Sequence, residues 1–436
     1  MSILKRTTIA FALLISLIGS AAVNAQRPQE PRAPYPYCEE EVFFLNERDH
    51  IRLAGTLTLP LSEGPFPAVV LISGSGPQDR DEAMFGHKAF LVLADHLTRL
   101  GIAILRVDDR GVGKSMGNFS DATSEDFAAD ALAGIHYLNT RKEIAHGKIG
   151  LLGHCEGGLI ASMVAAQSRD VAFLVMMAGP ALKGDQIVVG AGGVDCKDGW
   201  MSEELVAEIR AAQERIFALI NQANIPETKI RKEAEVFHDL AARIRAEAPE
   251  SKRKMAEIVS AAIENQTELF LSRWFRFYLT YDPRTALMRV KCPVLALYGE
   301  RDTQVPAREN LEAMRQALES GRNKDYTLLI LPKLNHLFQT AATGAISEYE
   351  QIDETMSSVA LDTVSNWVLQ TVHQLSLRPS AYLCVLCVKT CLNAEVRRGP
   401  QRAAEKLTSP PSELGPQNLC WFYCRRHCQE IWRLRH

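Results

Sequence analysis

Gly153-His154-Cys155-Glu156-Gly157, at the end of the apolar run 149–152, has the residue types and spacing to present a nucleophile. Read as a strand turning sharply into a helix, it places Cys155 at the apex. Glycines stand two positions to either side, where the returning helix passes too close for any side chain. The sulfur then projects above the sheet edge with a helix N-terminus behind it. That position, with an imidazolium nearby, lowers a thiol from its ordinary pKa of about 8.5 and favours the thiolate.

Such a nucleophile needs a base, a group that orients the base, and donors for a developing oxyanion. Downstream, the apolar run 294–298 ends in Gly299-Glu300-Arg301-Asp302, and the run 327–331 ends in Pro332-Lys333-Leu334-Asn335-His336. Asp302 and His336 therefore arrive at the sheet edge to which Cys155 points. Glu300 is the alternative acid. His373 falls in a closing helix, and His154, beside the nucleophile, is expected to point away.

The elements that must position these groups alternate. Residues 41–46 and 52–60 read as an edge hairpin, and 66–73, 102–107, 149–152, 171–177, 294–298 and 327–331 as strands buried on both faces. Helical patterns at 88–100 and 125–139 fall between them. The expected class is α/β, a mostly parallel twisted sheet with helices on both faces. Between the strands near 177 and 294, residues 202–222, 227–246 and 251–279 are charged and helix-periodic, which predicts an inserted helical cap. A last amphipathic helix is expected over 352–375.

The organisation expected is a signal peptide at 1–25, a flexible lead-in at 26–40, a core at 41–183 and 289–377, the cap at 184–288, and a tail at 378–436. Lys5 and Arg6 precede an apolar run too short to span a bilayer, and Val23-Asn24-Ala25 fits a small-x-small cleavage site, so export is expected (periplasmic or secreted). Six of the ten cysteines lie at or beyond Cys384, with arginines and no periodicity. That segment reads as an unstructured appendage; its spacings fit structural zinc poorly. Whether Cys38, Cys196 and Cys292 form a bridge is left open. With a net charge of −3, nucleic acid is not an expected partner. Gly113-Lys114-Ser115 fails as a phosphate loop because Asp108 stands where that loop needs glycine. The segment reads as a structural turn in which Asp109 and Arg110 pair. No metal signature appears, and no cofactor is expected.

Several motifs carry a family resemblance: Leu53-Ala54-Gly55-Thr56-Leu57-Thr58-Leu59-Pro60, Gly74-Ser75-Gly76-Pro77-Gln78-Asp79-Arg80-Asp81, Asp109-Arg110-Gly111-Val112-Gly113-Lys114-Ser115, the Cys155 elbow and Leu334-Asn335-His336. Together they resemble secreted α/β-hydrolases of the esterase and prolyl-aminopeptidase-like (serine aminopeptidase-type) group, over residues 41–375. The resemblance implies the α/β-hydrolase fold and the order nucleophile, acid, histidine, with Cys155, Asp302 and His336 in those roles. It implies an oxyanion hole from the N–H groups of Glu156 and Ser75, with Gly76 as the fallback. Members usually carry serine at the elbow; dienelactone hydrolases use cysteine there. The implied activity is hydrolysis of short-chain carboxylic esters. Action on short peptides, and a catalytically impaired or non-catalytic binding protein of the same fold, stand as alternatives. Asp79, Arg80 and Asp81 are expected to pin their loop by ion pairing.

Overall fold

The computed structural model describes residues 27–190, 200–222 and 225–396. The expected signal segment, Cys196 and residues 397–436 lie outside them. The chain forms two compact units, residues 1–367 and 368–436.

In the first unit the long apolar runs pair into one eight-stranded sheet. Its strands are β1 (Tyr37–Asn46), β2 (Ile51–Pro60), β3 (Phe66–Ile72), β4 (Ala103–Val107), β5 (Ile144–His154), β6 (Phe173–Met177), β7 (Val294–Gly299) and β8 (Tyr326–Leu331). Their spatial order is β1-β2-β4-β3-β5-β6-β7-β8. Only β2 opposes the rest, pairing antiparallel with β1 and β4. From β4 to β8 every pairing is parallel. The continuous apolar runs are explained by this: a strand covered on both faces has no solvent side to mark with polar residues. β6 and β7 are buried throughout.

From β3 the chain passes to β4 on one side and then to β5 on the other, so a crevice opens outside the carboxyl ends of β3 and β5 at that switch point. The ends of β3, β5, β7 and β8 share this edge. Helices α1 (Ala89–Arg99), α2 (Ser124–Asn139) and α3 (Glu156–Gln167) follow β3, β4 and β5. Phe90, Leu93, Ala94 and Leu97 form the buried stripe of α1 at three- and four-residue spacing.

Between β6 and β7 the described chain is helical, from Gly184–Gly190 to Arg284–Leu287. Its helix α4 (Arg273–Thr280) buries Phe275, Tyr278 and Leu279. Helix α5 (Ala307–Ser320) joins β7 to β8.

Three features differ from the sequence reading. The lead-in is anchored rather than free. The Arg27 guanidinium donates to the carbonyls of Phe85, Gly86, Glu350 and Ile352, and Gln29 accepts from the N–H groups of Thr355 and Met356. Pairing in β1 begins at Tyr37, opposite Pro60. Secondly, β8 lies at a sheet edge and is only partly buried, despite its apolar sequence. Thirdly, the last helix, α6 (Ser358–Val396), passes the compositional break at 378. In the second unit the described backbone is the run of this helix to Val396. Cys38, Cys155 and Cys292 are free thiols. Among the described residues, no helix is long and apolar enough to cross a membrane.

Candidate active site

Strand β5 ends at His154 and helix α3 begins at Glu156, so Cys155 alone makes the turn. Its φ of 52° and ψ of −123° are rare for a side-chain-bearing residue and cost on the order of 1–3 kcal/mol. Two bonds hold it there: Cys155 N–H donates to Met177 O (2.8 Å), and Cys155 O accepts from Gly158 N–H (2.9 Å). Both flanking glycines are required. A Cβ at Gly153 would collide with the Gly157 carbonyl, and one at Gly157 with the carbonyls of Ile72 and Ser73. The helix N-terminus behind the sulfur favours negative charge on it.

Asp302 lies just past β7 and His336 just past β8. His336 Nδ1 is 2.8 Å from Asp302 Oδ2, and neither side chain is more than 4% exposed. The other Asp302 oxygen accepts from the N–H groups of Gln304 (2.8 Å) and Val305 (2.9 Å), which fixes the carboxylate. His336 also interacts with the Cys155 side chain. Burial alone would depress the imidazole pKa. The negative charges of Asp302 and Cys155, with hydrogen bonds to both, outweigh burial and hold it well above the ordinary value of 6.5. Glu300, the alternative acid, accepts instead from Lys333 N–H and is exposed.

The loop after β3 closes the third side. Gly74 is so near Cys155 that an added Cβ would lie 3.2 Å from Cys155 Cβ. Gly74 N–H is taken by Glu82 Oε1 (2.8 Å). The Ser75 hydroxyl donates to Glu156 Oε2 (2.7 Å). Glu156 N–H opens helix α3, where backbone donors have no partner within the helix. Ion pairs anchor this loop: Arg80 binds both oxygens of Asp108 (2.9 and 2.6 Å), and the buried Arg106 binds Asp81. Asp79 instead receives the N–H groups of Asp81 and Ala83.

Asp109 and Arg110 do not pair. Asp109 is buried against Ser73 Oγ (3.0 Å) and Gln78 N–H (2.9 Å), and burial raises its pKa well above the usual range. Arg110 turns the other way, to Asp130 and Asp49 on α2 and the β1–β2 turn. Asp109 O accepts from Val112 N–H (2.9 Å), so the two residues open a turn past β4 and each side chain meets a different element. In the Gly-Lys-Ser turn, Ser115 Oγ donates to Asp108 O (2.7 Å) and accepts from Ala54 N–H (2.9 Å). Lys114 reaches out to Glu41.

Four side-chain contributors were missed in the sequence. His154 does not point away: its ring centroid is 4.9 Å from that of His336. The buried Glu156 side chain joins the start of helix α3 to helix α4, accepting from Ser124 Oγ (2.6 Å) and Trp274 Nε1 (2.8 Å) as well as Ser75. Burial raises its pKa, while these three donors pull it back. Trp274 stacks on Tyr278 at 5.6 Å. The phenol of Tyr278 is raised well above its ordinary pKa by burial first, then by the charges of Cys155 and Glu156, which marks it as a wall of the site. Ser272 beside Arg273-Trp274 is the readable helix start, and Ser272 Oγ accepts from Phe275 N–H (3.1 Å).

The model of the family described as serine aminopeptidase, S33, matches residues 87–340. The chain belongs to that family. The matched segment holds Cys155, Asp302 and His336, whereas Ser75 precedes it. Esterase EstD of Thermotoga maritima is 25% identical over 321 residues, which cover 73% of this chain and 66% of the relative, just under two thirds of its length. Among solved structures, the Pyrococcus furiosus esterase Pf2001 has a TM-score of 0.48 at 15% identity, covering 80% of this chain and 97% of its own. Est1E from Butyrivibrio proteoclasticus, solved with ferulic acid bound, has a TM-score of 0.43 at 16% identity, covering 76% of this chain and 99% of its own. The sheet order and parallel pairings above give this family member the α/β-hydrolase fold.

Proposed function

We propose that this protein is a carboxylic-ester hydrolase acting on short-chain acyl esters through Cys155, His336 and Asp302. The carrying observation is the buried His336–Asp302 hydrogen bond of 2.8 Å, with Cys155, held at positive φ, interacting with the same imidazole. His336 takes the thiol proton, and the thiolate attacks the ester carbonyl. The N–H groups of Glu156 and Ser75 receive the oxyanion. The tetrahedral adduct collapses, the C–O bond breaks, and the alcohol leaves with the proton from His336. Water then gives a proton to His336 and attacks the thioester, releasing the acid and restoring the thiol. Asp302 keeps the imidazole oriented throughout. The signal-like segment 1–25 supports export of the enzyme.

The test is turnover of p-nitrophenyl acetate and butyrate by the parent, Cys155→Ala and Cys155→Ser. The parent is expected to turn over. Alanine should cost about a thousandfold or more in kcat. Serine should also lower kcat, because its hydroxyl is far harder to ionise than a thiol. Equal turnover by the alanine variant would contradict the reading. The family description favours one second reading, cleavage of short peptides; a faster kcat/KM on aminoacyl amides than on the matching esters would support it.

A further inference from the structure

We propose that Glu82 and His154 form a positioning pair that sets the oxyanion loop and the base in register with the nucleophile, an inference resting on the ester-hydrolase reading. One carboxylate oxygen, Glu82 Oε1, accepts from Gly74 N–H at 2.8 Å and faces His154 Nδ1 at 2.9 Å. The opposite ring nitrogen, His154 Nε2, lies 3.0 Å from the carbonyl oxygen of His336. A continuous chain thus runs from the loop after β3, through the residue preceding Cys155, to the backbone of the base.

Nothing in the elbow motif requires these residues. Glu82 is 1% exposed and His154 5%, and burying a charged group is costly unless it is paired and hydrogen-bonded. Glu82 also adopts a positive φ of 49°, an uncommon backbone conformation for glutamate. Both ring nitrogens of His154 face acceptor oxygens, so both contacts are hydrogen bonds when each nitrogen carries its hydrogen. The pair then acts in two places. Holding Gly74 N–H on Glu82 turns that donor away from a reacting carbonyl and leaves Ser75 N–H as the loop's donor. Holding the His336 carbonyl limits backbone movement of the base relative to Cys155. A misplacement of about 1 Å at either point costs about a hundredfold in rate.

Glu82 and His154 act through Gly74 and His336, so the decisive readouts are those a purely structural role would leave unmoved. In the full chain, Glu82→Ala is expected to lower kcat for p-nitrophenyl acetate about a hundredfold, with KM changed less than about threefold. Glu82→Gln keeps an acceptor oxygen at the same place and should recover kcat to within about tenfold of the parent. His154→Gln can hold one end of the chain but not both, and should fall between the two. The rate at which iodoacetamide alkylates Cys155 should follow the same order, because that rate reports the thiolate held by His336. Losses that match the unfolded fraction seen by circular dichroism, or parental rates in both assays, would overturn the proposal. If Glu82→Ala does not fold, the ranking of the parent, Glu82→Gln and His154→Gln decides it. A parent that alkylates readily but turns over no ester removes the ester reading alone, and the alkylation ranking still tests the pair.

Discussion

Asp302→Asn is expected to leave a folded protein that has lost about ten-thousandfold in kcat, the scale on which buried triad acids act. The reason lies in the two carboxylate oxygens. Oδ1 accepts from Gln304 and Val305 N–H, a role the asparagine oxygen keeps, so the loop after β7 should hold. Oδ2 faces His336 Nδ1, where the variant presents an amide NH2 instead. A donor there turns the imidazole to the tautomer with hydrogen on Nε2, which cannot take the Cys155 proton. A pH signature accompanies the loss. Because the folded His336 pKa stands well above the unfolded value near 6.5, the pairing stabilises the protein fully below that value. The contribution fades as pH rises through the folded pKa. Thermal unfolding of parent and variant should therefore differ most below pH 6.5 and converge at alkaline pH. Parental kcat in the variant, or a gap that widens with pH, would contradict the assignment.

Gly157→Ala is expected to destabilise the fold by about 3 kcal/mol and to cut activity with it, at the upper end of what overpacking usually costs. The added methyl would meet the main-chain carbonyls of Ile72 and Ser73, not the yielding end of a side chain. Relief requires helix α3 to retreat from β3. That movement withdraws both the helix N-terminus behind Cys155 and the Glu156 N–H. Urea denaturation with the same variant checks the first effect, and ester turnover per alkylatable Cys155 checks the second. A midpoint and turnover equal to the parent's would show that the elbow is looser than the strand-to-helix turn described here.

The sheet and the strand-to-helix turn at Cys155 were legible in the sequence because both are written locally. Val294 to Gly299 is apolar without a break since β7 is covered on both faces, and the residues just beyond it had to fall at the strand's carboxyl end. Gly153 and Gly157 announce a close backbone crossing by their spacing alone. What local pattern could not supply were partners distant in the chain. Glu82 meets His154 across 72 positions, and Trp274 meets Glu156 across 118. Those meetings depend on which strands lie side by side and where the cap settles, and no periodicity records either. The Asp109–Arg110 expectation failed for the opposite reason. Neighbouring opposite charges suggest a pair, yet the turn that opens at Asp109 leaves the two side chains on different partners, Ser73 and Gln78 for one, Asp130 and Asp49 for the other. Arg27, among prolines at the start of the described chain, likewise finds its acceptors more than three hundred positions away at Glu350 and Ile352.

The central claim is that the Cys155 sulfur carries the acyl group during turnover. Acid-quenching the full chain during turnover of p-nitrophenyl butyrate, followed by peptide mass spectrometry, tests it directly. The account predicts one butyryl group on the peptide containing Cys155, labile to hydroxylamine as a thioester is, and accumulating further in a variant whose His336 is replaced after a slow first turnover. Continued hydrolysis with the acyl group found on another residue, or on none while iodoacetamide-blocked Cys155 remains active, would contradict it.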